Sequence, residues 1–252
     1  MSEDLVSLRI LLVLDSMADR DLLRQAAAQA AVPVDVIEAG GVGAAKPLLA
    51  ANETDIVFLS STISASDRAA FVADCQAKRP QPFVILTTAA RSEADTLAAA
   101  GIDSVIVKPA SASEAKALVE RCIRMRMPKR VLVVDDSQTM RTIVRKILSA
   151  SRFRVEVGEA QEGIEALKQI ASGKFDLVFL DYNMPGLNGV ETLSEIRRQY
   201  PKLGVVIMTS TADEELAERA RTAGAAAFLK KPFYPADIDA ILQSMLGPRG
   251  TS

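Results

Sequence analysis

Five short apolar runs punctuate the C-terminal half of the chain, at 130–134, 153–157, 176–180, 204–208 and 226–229. They are rich in Val, Leu, Ile and Phe and mostly uninterrupted by polar residues, the pattern of strands buried on both faces. Between them, 138–150, 162–172, 189–199, 214–222 and the terminal 236–246 space their apolar positions as amphipathic helices do. Thr211 followed by Glu214 has the form of a capping box for the fourth of these helices. Strand–helix alternation of this kind predicts right-handed βαβ units and a parallel sheet covered by helices on both sides.

The N-terminal half repeats the pattern. Arg9-Ile10-Leu11-Leu12-Val13-Leu14-Asp15-Ser16 lies over Arg130-Val131-Leu132-Val133-Val134-Asp135-Asp136-Ser137, an offset of 121 residues, as from Asp15 to Asp136. The same offset pairs Arg20 with Arg141, Arg24 with Arg145, Glu38 with Glu159, and Asp55–Ser60 with Asp176–Asp181. After small gaps, Leu86-Thr87 falls over Met208-Thr209 and Lys108-Pro109 over Lys231-Pro232. So long a period excludes a solenoid unit and implies two copies of one domain. The expected fold class is therefore α/β: two flavodoxin-like, doubly wound (βα)5 domains, each a five-stranded parallel sheet of order 2-1-3-4-5. The expected limits are 1–123 for the first domain, 124–129 for a helical linker in which Pro128 ends the helix, and 130–252 for the second. The basic cluster Arg121, Arg124, Arg126, Lys129, Arg130 at the boundary reads as a solvated helix end.

Composition narrows the chemistry. The 252 residues contain no histidine and only Cys75 and Cys122. That removes histidine-based nucleophile pairs and cysteine-rich zinc sites, and leaves carboxylates, hydroxyls, Lys and Arg. With 30 basic and 32 acidic residues the net charge is -2, which does not favour nucleic acid as a partner. An acidic start, no membrane-length apolar run and sparse cysteine lead to the expectation of a cytoplasmic protein without a membrane partner. Gly40-Gly41-Val42-Gly43-Ala44-Ala45-Lys46 matches no phosphate-loop spacing and reads as a turn into a helix.

Ligands of open parallel sheets bind at the carboxyl ends of the strands. In the second copy those ends carry Asp135-Asp136, Asp181, Thr209 and Lys231. Clustered carboxylates without His or Cys suit a hard cation, Mg2+ being the natural occupant, beside a carboxylate able to attack phosphorus. Val131–Ser137, Asp181-Tyr182-Asn183-Met184-Pro185-Gly186, Met208-Thr209-Ser210 and Lys231-Pro232-Phe233 together resemble the receiver domain of two-component response regulators. The resemblance implies that Asp181 accepts a phosphoryl group from a sensor histidine kinase or a histidine phosphotransfer protein. It implies one Mg2+ in the second domain, bound by Asp136, Asp181 and the Asn183 carbonyl, with Asp135 acting through water. It also assigns Thr209 and Lys231 to stabilising the phosphoryl oxygens, Thr209 with Phe228 to a conformational switch, and a cis bond to Lys231–Pro232.

The first copy departs where that chemistry resides. Leu14 takes the place of Asp135, Ser60 that of Asp181 and Val105 that of the switch aromatic, while Asp15, Thr87 and Lys108 remain. It resembles a pseudo-receiver that binds but is not phosphorylated. The expected protein is a response regulator without a DNA-binding or enzymatic output domain, not itself an enzyme, which signals through a downstream protein target. A phosphate sink or relay step, an Asp-nucleophile phosphatase of the haloacid-dehalogenase type and a constitutive scaffold are the alternatives. Asn183 stands where such a phosphatase expects a second acid. A homodimer through the charged helix with Asp213, Glu214, Glu215, Glu218, Arg219 and Arg221, or through the region near Cys122–Met127, stays open beside a solvated face.

Overall fold

The structure, a computed structural model, describes residues 8–90, 92, 101–210 and 214–247. The chain forms two compact units, one built on the residues up to Met127 and the other on Pro128–Met245. In the first, β1 (Leu8–Val13), α1 (Met17–Ala28), β2 (Val34–Ala39), α2 (Val42–Ala51), β3 (Ile56–Ser60), α3 (Ala65–Ala77), β4 (Phe83–Thr88), β5 (Ser104–Val107) and α4 (Ala112–Arg126) follow in order. In the second come β6 (Lys129–Val134), α5 (Gln138–Ala150), β7 (Val155–Ala160), α6 (Gly163–Ser172), β8 (Leu177–Asp181), α7 (Gly189–Gln199), β9 (Gly204–Thr209), α8 (Glu214–Thr222), β10 (Ala227–Lys230) and α9 (Pro235–Leu246).

Each unit contains one parallel sheet, ordered β2-β1-β3-β4-β5 and β7-β6-β8-β9-β10, the same order in both and the one expected. The order reverses beside β1 and β6, so the carboxyl ends of β1 and β3, and of β6 and β8, flank the crevice of each sheet. The central strands β3 and β8 are buried along their whole length. In the second domain, Leu132, Val134, Val178 and Leu180 pack against Ala166, Ile170, Leu193 and Ile196. Each large aliphatic side chain so buried contributes about 1.5–3 kcal/mol. In the first, Leu11, Val13, Val57 and Leu59 meet Leu49, Phe71, Val72 and Cys75. Cys75 and Cys122 are both buried, and burial pushes each thiol up to about 12.

Some expectations shift. β7 begins at Val155 rather than 153 because the Phe153 N–H is taken by the Ser151 hydroxyl at 3.2 Å, a turn that delays strand pairing. The basic cluster is not a uniformly solvated helix end. Arg126 is buried with its Nη2 2.5 Å from Asp55, and Arg130 lies over the Phe175 ring at 5.0 Å. Within the expected linker, residues 124–126 are helical and Lys129 is already paired with Val155 in the sheet. Gly40 and Gly41 lead into α2 at Val42, as their spacing indicates. Thr211, and the side chains of Asp213, Glu214 and Glu215, lie outside the described residues.

Candidate functional site

β6 ends at Val134 and delivers Asp135 and Asp136 to the crevice; β8 delivers Asp181. Asp135 and Asp181 are only 0% and 4% exposed, whereas Asp136 faces solvent. Oxygens of the three carboxylates lie within 4.8 Å of one another. Lys231, which follows β10, donates from Nζ to Asp135 Oδ2 at 2.7 Å and to Asp181 Oδ1 at 2.9 Å. The other Asp135 oxygen accepts the Ser137 N–H at 2.9 Å, and the Ser137 hydroxyl caps α5. Thr209 closes β9, and its carbonyl accepts the Lys231 N–H at 2.7 Å. Phe228, opposite Ile207, packs half-buried against the core. The Lys231–Pro232 bond is cis.

The electrostatics follow from this burial. For Asp181, burial is the largest influence and raises the pKa; Lys231 pulls it back and Asp135 pushes it up, leaving it above the usual carboxylate range. For Lys231, burial works against the charge but the two carboxylates outweigh it, so its pKa is raised. Among the described residues, three carboxylates around one ammonium leave an excess of two negative charges. Hard oxygen donors with that excess and one solvent-facing member fit a divalent cation of the Mg2+ type.

Gly189, outside the set read from sequence, shapes the turn behind Asp181. A Cβ there would stand 2.5 Å from the Asp181 carbonyl oxygen and 2.7 Å from Tyr182 Cα, both backbone atoms. Gly189→Ala is expected to cost about 1–3 kcal/mol in denaturant unfolding through overpacking. Gly43→Ala, in α2 with nothing within 4 Å, should instead gain about 0.5–1 kcal/mol. Equal midpoints for the two variants would refute the packing argument.

The first domain arranges its rim differently. Leu14 is buried, and Lys108 Nζ lies 2.7 Å from Asp19 Oδ2, an ion pair without hydrogen-bond alignment. Asp19 stands, at the repeat offset, where the second domain has Met140. Asp15 accepts the Ser60 hydroxyl at 3.0 Å, and Ser60 lies 2.6 Å from the Thr62 hydroxyl. Burial raises the Asp15 pKa, but the Ser60 bond, its own backbone and the Lys108 charge together hold it below the usual range. Thr87 turns its hydroxyl to the Leu59 carbonyl at 3.2 Å, and Val105 packs on the core. The connection from β3 to α3, residues 61–64, is also shorter than its counterpart, 182–188. Arg68 fills in, donating to the Ser61 and Ile63 carbonyls at 2.6 Å each.

Fold and site together define a doubly wound α/β domain with an acidic pocket at the carboxyl edge of its sheet, repeated once with the pocket altered. Residues 131–243 match the family described as response regulator receiver domain. Chemotaxis protein CheY of Thermotoga maritima is 34% identical over 112 residues, covering 44% of this chain and 92% of that protein. Chemotaxis protein CheY-3 of Vibrio cholerae is 37% identical over 111 residues, with 43% and 85% covered. Among solved structures, Vibrio cholerae chemotaxis protein CheY4 is 32% identical over 47% of this chain and 98% of that one, with a TM-score of 0.44. The chain belongs to the response regulator receiver family of two-component systems. Such domains are generally signalling rather than enzymatic, typically bind Mg2+ in an acidic pocket, and imply histidine kinases or phosphotransfer proteins as partners. No helix among the described residues is long and apolar enough to cross a membrane.

Proposed function

We propose that residues 130–252 act as a phosphate-accepting receiver in the cytoplasm and that residues 1–123, joined through 124–129, act as a pseudo-receiver. An Asp181 carboxylate oxygen attacks the phosphorus of a partner's phosphohistidine. The P–N bond breaks as the P–O bond forms, its electron pair stays on the nitrogen, and the partner's imidazole, already protonated on its other ring nitrogen, leaves neutral. Asp136, Asp181 and the Asn183 carbonyl, with Asp135 through water, would hold Mg2+, which supplies positive charge against the phosphoryl oxygens. Lys231 and the Thr209 hydroxyl add to that stabilisation from the protein side. The observation that carries the reading is the placement of Lys231 between two buried carboxylates with a third beside them.

Thr209 and Phe228 form the switch. Phe228 and Lys231 both border an open groove of about 590 Å³ along β10 and α9, with Tyr234 and Ile241 on its wall. Movement of Thr209 toward a phosphoryl oxygen would let Phe228 turn inward and alter that face for a protein target or a second copy. In the first domain, Leu14 and Ser60 remove two acids and Asp19 holds Lys108, so neither the excess charge nor the acceptor is in place. Among the described residues Asp15 and Thr62 meet the Ser60 hydroxyl, and the chain has no histidine to activate it.

Incubation of the chain with acetyl phosphate and Mg2+, followed by mass mapping, tests this. One acyl phosphate on Asp181 and none on Ser60 is expected. Label elsewhere, or none, would overturn the assignment. Beryllofluoride, standing in for the acyl phosphate, should alter assembly or partner capture in the same Mg2+-dependent way.

A further inference from the structure

The carboxylates of Asp135 and Asp136 are adjacent in sequence yet have different surroundings: one meets Lys231 and the other faces solvent. Behind them lies a buried cation. Arg141, 6% exposed on α5, donates from Nη1 to the Asp135 carbonyl at 2.8 Å and the Asp136 carbonyl at 3.3 Å. Its Nε donates to Glu159 Oε2 at 3.2 Å, and Arg145 Nε lies 3.3 Å from the other Glu159 oxygen. The guanidinium therefore fastens, from one rigid fork, the two peptide units that carry the acidic pair.

The first domain repeats the clasp. Arg20 donates to the Leu14 carbonyl and to the Asp15 carbonyl at 3.2 Å; its Nε is 3.3 Å from Glu38, and Arg24 Nε is 3.2 Å from the same carboxylate. There Leu14 and Ser60 have replaced two of the three acids but the clasp is intact, so neutralising the full set is not what it is for. It sets the course of the turn.

We propose that Arg141, anchored by Glu159, is a positioning residue that orients the Asp135–Asp136 turn and thereby raises the pocket's affinity for a divalent cation. This rests on the reading that the pocket holds one. Field and geometry predict opposite signs. Removing a nearby positive charge would by Coulomb's law tighten cation binding, whereas losing the orientation of two ligands weakens it.

The test is calorimetric Mn2+ titration of the full chain, stripped with EDTA, beside thermal unfolding. Arg141→Met is expected to weaken Mn2+ binding about tenfold. Arg141→Lys, which restores charge but not the fork, should recover little of it, and Glu159→Gln should give a smaller loss with Arg141 still present. Arg20→Met is the internal control: it should lower stability in its own domain and leave Mn2+ affinity unchanged. If Arg141→Met does not fold, the Lys and Gln variants decide the question by the same readout. Unchanged or tighter binding in the Arg141 and Glu159 variants would overturn the inference while leaving the metal reading intact. No Mn2+ binding by the unaltered chain would overturn both.

Discussion

Asp181→Asn should reduce phosphoryl incorporation from acetyl phosphate by about 100-fold or more, to background, because an amide is not a nucleophile toward phosphorus. The substitution is nearly isosteric, and the amide oxygen can still accept from Lys231, which lies 2.9 Å from the present carboxylate. It removes one of the three carboxylate charges that, among the described residues, surround the Lys231 ammonium. Divalent binding should weaken, while the metal-free fold should unfold at no lower temperature than the parent in EDTA. Loss of label with intact unfolding separates chemistry from misfolding. Undiminished label in this variant would remove Asp181 from the mechanism, and label transferred to Ser60 would give the first domain the role denied it above.

The second large effect is expected at Lys231. Its ammonium joins Asp135 and Asp181, whose side chains are 1% and 6% exposed, and is itself only 17% exposed. Removing one partner of a buried charge group leaves the others uncompensated, at a cost of about 3–5 kcal/mol. Lys231→Met should therefore lower the urea midpoint of the second domain sharply in EDTA. A divalent ligand that binds only the folded state adds stability by mass action. Millimolar Mg2+ should thus recover more stability in this variant than in the parent, since the cation then meets the full charge of the acids. Lys108→Met makes the contrast. Its ion pair with Asp19 is about a quarter exposed on each side, and screening leaves about 0–1 kcal/mol with no dependence on Mg2+. Equal midpoints for Lys231→Met and the parent in EDTA would show that the acids are relieved in some other way.

The architecture was readable because it rests on local patterns. Helices at 138–150 and 189–199 were expected at the residues where α5 and α7 lie, since each has a run of apolar positions at helical spacing behind a polar cap. The apolar pattern starts β7 two residues early because Phe153 is apolar without being in the strand. Apolarity reports burial, and only hydrogen bonding decides where a strand starts.

For the candidate site the division is similar. Asp135, Asp136, Asp181 and Lys231 were legible from their positions just beyond strand ends, where the topology of a parallel sheet gathers them. The partners that act on them were not. Arg20, Arg24 and Glu38 were seen to recur as Arg141, Arg145 and Glu159, but that they form one clasp on the β6–α5 turn emerges only when helix and neighbouring strand are packed together. Nor does any spacing say that Asp19 reaches Lys108, or that Gly189 presses on the backbone of Asp181 and Tyr182.

Periodicity and residue identity are properties of the chain alone, and they suffice to establish two copies of one parallel α/β domain and which copy retains its acids. The pairing of charges belongs to the folded chain: which carboxylate meets which ammonium, how deeply each is withdrawn from water, and where a second backbone leaves no room for a methyl group. Those depend on distances between residues about fifty to a hundred positions apart, as from Asp181 and Asp135 to Lys231, which only the assembled sheet brings within 3 Å.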